Sequence, residues 1–425
     1  MIPTTTPRDA RSPAISETIL AAWRRRAASL ALSGLFLGLF APGLQAASQP
    51  IRIGVIAPLT GASADFGNSM QQGAALAIEQ INAIGGVLGR PLELVTKDDG
   101  GTAAMGRAAS TALLEREDVV ATLGFCNTGV ALGSIDLFEA RHRLLIIPCA
   151  QGTILTHRVA ASESTVFRVA PSDALNAEFL VAEIVDRRKL SRVAILADTT
   201  GYGDGGVADI GMQLKRRGLA PVVVSRFAAD AASLRDDMER ARAVGAQALI
   251  VYTVGPGEAA AVRARAAMKW DVPYFGPWTL SFRSVLESAG PGPLEGTMMT
   301  QSIIQDSANE ARTAFIASFA RRPDHRAVGS LMAAAQAYDS VHLLVRALFA
   351  AHGDLSSQSL KHALENPTEP HRGVVTTYDH PFSAQDHEAF SLNMIWLGVW
   401  HHGEIHYFHA NDALMSGAVR RKRGD

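Results

Sequence analysis

Strand and helix patterns alternate along most of this chain, and this alternation limits the fold more than any other feature. Short runs rich in Val, Ile and Leu are typical of buried strands, and segments with apolar residues at helical spacing separate them. A strand–helix order with short connections predicts a parallel sheet that helices cover on both faces. The strands of the first run are predicted at residues 51–56, 92–97, 119–125 and 144–148.

The pattern then restarts, which predicts two lobes of the same kind. A chain of 425 residues is also too long for one ordinary hydrophobic core. Two α/β units in tandem leave a crevice between them, and ligands of such open sheets bind beyond the carboxyl ends of the strands. The strands of the second run are predicted at residues 193–198, 222–225, 249–253 and 274–275.

The last third of the chain has a different pattern. Helices are predicted at residues 309–320, 328–351 and 357–365. Strands follow at residues 392–400 and 405–408, separated by a His402-Gly403 turn. The basic residues 420–423 are expected to form a solvated end.

The N-terminus has the features of a secretory signal peptide. Three arginines at residues 24–26 precede an uncharged apolar stretch over residues 27–42, and small residues at 43–48 suit a signal peptidase. The apolar stretch is shorter than the ~20 residues that a membrane-spanning helix needs, which argues against an anchor. We therefore expect residues 1–46 to be removed and the protein to reach the periplasm.

Composition excludes several classes of function. Lys and Arg number 40 against 41 Asp and Glu, so the charge balance does not favour nucleic acid or an anionic membrane. The two cysteines, Cys126 and Cys149, are too few for a disulfide framework, and whether they pair with each other stays open. No nucleophile elbow is present, so no enzyme, catalytic residue or cofactor is expected.

Histidines crowd the C-terminal region without the spacing of a metal site. None of them forms a His-Glu-x-x-His motif, and no cysteine pair lies nearby. Solvated strand and turn positions explain them better, so no metal site is expected. They are His380, His387, His401, His402, His406 and His409.

Short motifs spread over the whole exported part of the chain resemble the leucine/isoleucine/valine-binding proteins of ABC importers. The resemblance implies a type I periplasmic binding fold: an α/β protein with two doubly wound parallel-sheet lobes joined by three hinge crossings. The motifs are IGVIAPLTG at residues 53–61, NAIGGVLG at 82–89, FRVAPSD at 167–173, YGDG at 202–205 and AYD at 337–339.

Placed on this sequence, the crossings fall near Pro171, Ser302 and Val375. They assign residues 47–171 and 303–375 to the N-terminal lobe. Residues 172–302 and 376–425 then belong to the C-terminal lobe.

The family resemblance also implies a function. Such a protein captures a small solute in the periplasm by closing its lobes, and it then delivers this solute to an inner-membrane ABC permease. The sequence does not show the oligomeric state, and a monomer is the simplest expectation. The solute expected here is a small carboxylate. A sensory module that presents its closed state to a membrane receptor would use the same fold, and the sequence leaves that alternative open.

Residues 124–129 join a strand end to a helix start, where free N–H groups could bind a carboxylate, although an ordinary helix cap would look the same. In the family this loop binds the ligand's carboxylate, which singles out Asn127 and Thr128. The resemblance adds the end of the next strand, Cys149-Ala150-Gln151, and two covering aromatics, Phe66 and Tyr202.

One departure from the family bears on the ligand. Trp278 stands where amino-acid-binding members have an acidic residue that pairs with the ligand's ammonium. Burying an ammonium without a counter-charge costs several kcal/mol, whereas an indole suits an apolar or aromatic body. Asp173 could replace the missing acid, or it could be a helix N-cap. We therefore rank an aromatic or keto acid above a branched-chain amino acid.

Overall fold

The computed structural model describes residues 49–116, 118–305, 310–321, 328–415 and 420–422. The expected signal peptide, residues 1–46, lies outside these ranges and stays a prediction. Within the ranges, no helix combines the length and the apolar character that crossing a membrane requires.

The first sheet holds five parallel strands in the order β2-β1-β3-β4-β5. Every residue of β3 is buried, as expected of a central strand that helices cover on both faces. The strands are β1 (Ile51–Ala57), β2 (Leu92–Asp98), β3 (Val119–Gly124), β4 (Leu145–Ile147) and β5 (Val166–Arg168). The helices between them are α1 (Ala64–Ala83), α2 (Ala103–Leu114), α3 (Thr128–Leu132) and α4 (Ile135–Ala140).

The second sheet has seven strands in the order β14-β13-β10-β9-β8-β6-β7. Its parallel part consists of β6 (Val193–Asp198), β7 (Val223–Phe227), β8 (Ala248–Tyr252), β9 (Tyr274–Gly276) and β10 (Met298–Gln301). The helices that accompany it are α5 (Asp173–Val181), α6 (Gly201–Arg216), α7 (Arg235–Ala243), α8 (Pro256–Ala267), α9 (Arg283–Ala289) and α10 (Pro291–Leu294). Two such sheets confirm the predicted α/β class with two lobes.

The strand-rich end adds an antiparallel hairpin to this sheet. It is formed by β13 (Trp396–His401) and β14 (Glu404–Tyr407), and β13 pairs with β10. The strand predicted at residues 392–400 begins late, because Leu392–Met394 form a 3-10 turn.

The remaining elements come from the last third of the chain. Helix α12 (Leu331–Ala350) packs closely against α1. A Cβ at Gly73 of α1 would lie 2.0 Å from the carbonyl oxygen of Ala334 in α12. The glycine therefore lets α12 cover the first sheet. These elements are α11 (Glu310–Ala320), α12 (Leu331–Ala350), α13 (Ser357–Glu365), β11 (His371–Arg372), β12 (Thr377–Tyr378) and α14 (Ala410–Met415).

The chain passes between the sheets after β5, after β10 and between β12 and β13. The first and third passages are joined by the fully buried Arg168, whose Nε donates to Glu388 Oε2 at 2.8 Å. Arg168 also donates to the carbonyl oxygen of Gln151 at 3.0 Å. A buried guanidinium needs such partners, because an unpaired charge in the interior is costly. The lobe limits assigned from the sequence stay predictions.

Two residues of the basic end, Arg420 and Lys422, are partly buried, which corrects the expectation for them, whereas Arg421 is exposed as expected. Lys422 Nζ donates to the carbonyl oxygen of Pro381 at 3.0 Å and also contacts Asp386 and the Glu388 carbonyl. Arg420 lies over the Trp396 ring, with 3.6 Å between its Cζ and the ring centroid. These contacts join segments far apart in sequence, so local charge pattern could not reveal them.

Candidate functional site

A cavity of about 210 Å³ lies between the two sheets, next to the carboxyl ends of their parallel strands. From the first lobe, its lining includes residues that follow β1, β3 and β4. From the second lobe, the lining residues follow β6, β8 and β9. This position agrees with the crevice that the tandem α/β pattern predicted.

Six of the nine residues singled out in the sequence line this cavity, and three do not. The lining includes Phe66, Asn127, Thr128, Gln151, Tyr202 and Trp278. Cys149, Ala150 and Asp173 are buried behind it. The Ala150 N–H donates to the carbonyl oxygen of Phe125 at 2.9 Å, so it is not available to a carboxylate.

The loop before α3 holds Asn127 and Thr128 in place. Asn127 is the N-cap residue of α3 by position, yet its side chain does not cap the helix. Its Nδ2 instead donates to Ser63 Oγ at 2.9 Å. The capping role that the sequence left open is therefore not what fixes this side chain. Because α3 is only five residues long, local N–H groups matter more here than a helix dipole.

On the second lobe, helix α6 positions Tyr202. Thr200 Oγ1 accepts from the Tyr202 N–H at 3.2 Å, and the Thr200 N–H donates to Asp198 Oδ1 at 2.9 Å. This capped turn fixes the start of α6 directly after β6. The Tyr202 ring packs on Tyr252, with 4.7 Å between ring centroids, and Tyr202 is part of the cavity lining.

Several buried polar atoms of the lining have no hydrogen-bond partner of normal geometry among the described residues. Leaving a buried polar group unpaired costs about 1–3 kcal/mol, so a cluster of them indicates a place for a polar ligand. Four of the five can donate, which favours a ligand rich in acceptors. The atoms are Asn127 Oδ1, Thr128 Oγ1, Gln151 Nε2, Tyr202 Oη and Trp278 Nε1.

The lining carries no formal charge: over the part of the chain that is described, it includes no Asp, Glu, Lys, Arg or His. A ligand ammonium would therefore lack a counter-charge at the cavity surface, and its desolvation would be uncompensated. A carboxylate can instead accept hydrogen bonds from the unpaired donors. Hydrogen bonds to a charged group contribute about 1.5–3 kcal/mol each.

Asp173 does not cap a helix, because Ser172 is the N-cap of α5 and accepts from the Leu175 N–H at 3.3 Å. Asp173 lies behind the lining, where its carboxylate accepts a hydrogen bond from the Tyr252 hydroxyl. Its N–H donates to the carbonyl oxygen of Gln151 at 2.7 Å. Burial raises the pKa of Asp173 to about 7.

Aromatic side chains from both lobes meet over one side of the cavity. Phe66 lies edge-to-face on Trp278 with 5.8 Å between ring centroids, and its centroid is 4.9 Å from that of Phe282. Nearby, the Ser284 N–H donates to Asp65 Oδ2 at 2.9 Å. These contacts link the first and second lobes, so the crevice is closed over the cavity.

Both cysteines are free thiols in the structure, which answers the question the sequence left open. They are buried, and Cys126 Sγ lies 3.5 Å from Met70 Sδ. Burial raises the pKa of the Cys126 and Cys149 thiols, so neither is an activated nucleophile.

The lining residues that sequence reasoning missed include three on the second lobe: Thr200, Val254 and Thr279. Each lies within four residues of the end of a parallel strand in the second sheet. The general rule that ligands bind at carboxyl strand ends could have found them.

A family model described as periplasmic binding protein matches residues 50–394. A Leu/Ile/Val-binding protein homolog of Brucella melitensis is 35% identical over 160 residues, 38% of this chain and 42% of the relative. A Leu/Ile/Val-binding protein of Rhizobium johnstonii is 32% identical over 177 residues, 42% and 47% of the two chains. The alignments therefore span less than half the length of these two relatives.

Solved structures share the fold. A type 1 periplasmic binding protein of Bordetella pertussis superposes with a TM-score of 0.74 at 23% identity, over 84% of this chain and 99% of the other. An ABC transporter solute-binding protein of R. palustris in complex with benzoate superposes with a TM-score of 0.72 at 18% identity. The superposition covers 84% of this chain and 95% of the other. A branched-chain amino acid transporter substrate-binding protein of Streptococcus pneumoniae in complex with isoleucine superposes with a TM-score of 0.72 at 21% identity. The superposition covers 84% of this chain and 97% of the other.

Proposed function

The chain belongs to the periplasmic binding protein family, and from this premise we propose that it is the solute-binding component of an ABC importer. Its solute is a small carboxylate that both lobes enclose, and its membrane partner is an inner-membrane permease. The protein acts in the periplasm as a monomer. It binds and releases the solute unchanged, so no catalytic residue is needed.

One observation carries the choice of ligand: unpaired hydrogen-bond donors from both lobes surround a cavity whose described lining is uncharged. This combination suits a carboxylate on an apolar body and disfavours an ammonium group. An aromatic or keto acid therefore ranks above a branched-chain amino acid. The benzoate-bound and isoleucine-bound neighbours have the same fold, so the fold alone does not decide between these ligands.

The proposed cycle begins in an open form, where the carboxylate docks on the first lobe near Asn127, Thr128 and Gln151. Closure then brings Tyr202 and Trp278 over the ligand and excludes water. The ligand stabilises closure only by its higher affinity for that state. The permease recognises the closed form, in which the Phe66 contacts with the second lobe are made.

Thr128→Val tests this proposal, because it replaces a hydroxyl by a methyl of similar size. Thr128 Oγ1 has no hydrogen-bond partner within the described protein, so the unliganded variant should unfold at the same temperature as the wild type or slightly higher. Affinity for the carboxylate should fall about 10- to 100-fold, the equivalent of one hydrogen bond to a charged group. Calorimetric titration and thermal shifts with benzoate, a branched 2-keto acid and leucine provide the measurements.

The exposed Thr199→Val serves as the matched control and should bind like the wild type. No response to any carboxylate would contradict the proposal. A leucine affinity above that of both other acids would contradict the ligand ranking while leaving the carboxylate site standing.

A further inference from the structure

We propose a second site on this protein: Glu295, His401 and His402 bind a divalent transition metal of the zinc class. The three side chains can each direct one ligand atom to a common point, since these atoms lie within 4.8 Å of one another. The proposal does not rest on the solute-binding function. The spacing of the C-terminal histidines alone shows no metal motif, so the sequence does not predict this site.

A tight hairpin turn presents the two histidines. His401 is the last residue of β13 and pairs with Glu404, so His402 and Gly403 form a two-residue turn. Both turn residues have positive φ, 53° for His402 and 80° for Gly403, as this class of turn requires. The turn thus fixes two consecutive imidazoles side by side, with 4.0 Å between ring centroids.

The carboxylate comes from a distant part of the chain. Glu295 follows directly after α10, and its Oε1 lies 2.6 Å from His401 Nδ1. Its Oε2 accepts from the His402 N–H at 2.9 Å. These two contacts orient the carboxylate toward the histidines.

This ligand set selects among metals. Two imidazoles and one carboxylate suit Zn²⁺, Cu²⁺ or Ni²⁺, whereas Mg²⁺ and Ca²⁺ prefer oxygen ligands alone. All three residues are exposed, so small rotations can bring their atoms to the 2.0–2.2 Å that zinc requires. His406 has its ring centroid 6.0 Å from that of His401 and could complete the coordination. Otherwise solvent occupies the fourth position.

The metal site and the cavity lie at opposite edges of the second sheet. Met298, the first residue of β10, pairs with Val399, so the hairpin turn lies beyond the amino ends of the parallel strands. The cavity lies at their carboxyl ends. Metal should therefore bind without competing for the solute, and it should tie the end of α10 to the hairpin.

The test is a calorimetric titration of the untagged mature protein with Zn²⁺, and a titration with Mg²⁺ serves as the comparison. We expect one zinc site and no magnesium response. His401→Ala and His402→Ala should each weaken zinc binding more than about tenfold. Loss of a residue that only supports a metal ligand already costs about that much affinity, so loss of a ligand should cost more. His362→Ala, at an exposed position on α13, is the matched control and should bind zinc like the wild type.

Glu295→Gln gives a second, independent reading, because it keeps an acceptor for the His402 N–H while removing the charge. It should fold normally by thermal unfolding and bind zinc more weakly. Unchanged zinc affinity in all three site variants would overturn the proposal. A zinc-induced loss of carboxylate binding would overturn the separation of the two sites, whereas an unchanged carboxylate affinity at saturating zinc supports it.

Discussion

At the scale of single residues, Asp173 is a buried acid that lies behind the cavity lining, so its proposed contact with the ligand stays a prediction. The sequence could not decide between an ammonium partner and a helix cap, because its neighbour Ser172 can also cap a helix. In the structure Ser172 caps α5 and Asp173 lies behind the cavity lining, bonded to Tyr252. We therefore expect the acid to influence the stability of the protein more directly than its ligand specificity.

Asp173→Asn should make the free energy of unfolding less dependent on pH. The folded pKa, about 7, lies above the ordinary value of 3.8, so the native state holds a proton that the unfolded chain has lost. The contribution of the protonated Asp173 to the free energy of unfolding is fully present below pH 3.8 and is lost as pH rises toward 7. Urea unfolding at pH 4 and pH 7 should show a smaller loss in the variant than in the wild type.

The exposed Asp230→Asn is the control and should follow the wild-type pH profile. An Asp173→Asn profile identical to the wild type would contradict the burial argument. If this variant instead abolished a thermal shift with leucine, Asp173 would be the ammonium partner after all.

At the scale of elements, close packing of α1 against α12 depends on one glycine. Gly73→Ala would place its Cβ 2.0 Å from a backbone oxygen of Ala334, which a side-chain rotation cannot relieve. We expect the free energy of unfolding to fall by about 1–3 kcal/mol or more. Gly211→Ala on α6 is the matched control, because a Cβ at this position meets nothing within 4 Å. This change should raise the free energy of unfolding by up to about 1 kcal/mol. Equal effects of the two changes in urea unfolding would refute the packing argument.

Elements with their own local signals could be predicted from sequence, and those that depend on distant partners could not. Helix α13 matches its predicted limits because an apolar face and the capping Ser356 are both local. The strands β5 and β10 were not predicted, although β4 and β9 are just as short and were, so length alone does not explain the difference. The cavity followed from strand ends, but the meeting of Glu295 with His401 depends on the packing of segments 106 residues apart.

At the scale of the whole molecule, Lys422 contacts the segment that passes between the sheets for the third time. Lys422 binds the carbonyl oxygens of Pro381 and Glu388, and Glu388 in turn pairs with the buried Arg168 at the first crossing. The end of the chain thereby holds the third crossing against the first. We therefore expect residue Lys422, in the tail that the sequence suggests is a solvated end, to contribute to the alignment of the two lobes.

Lys422→Met should lower the free energy of unfolding by about 1 kcal/mol or more, because it leaves partly buried acceptors unpaired while keeping most of the side chain's apolar length. Arg421→Ala is the control: its side chain is 69% exposed and its ion pair with Asp379 should contribute at most about 1 kcal/mol. Urea unfolding of the mature protein separates the two. If Lys422 only neutralised surface charge, both variants would lose the same small amount, and added salt would remove the difference from the wild type. A larger loss for Lys422→Met that persists in high salt would instead establish the tail as part of the hinge.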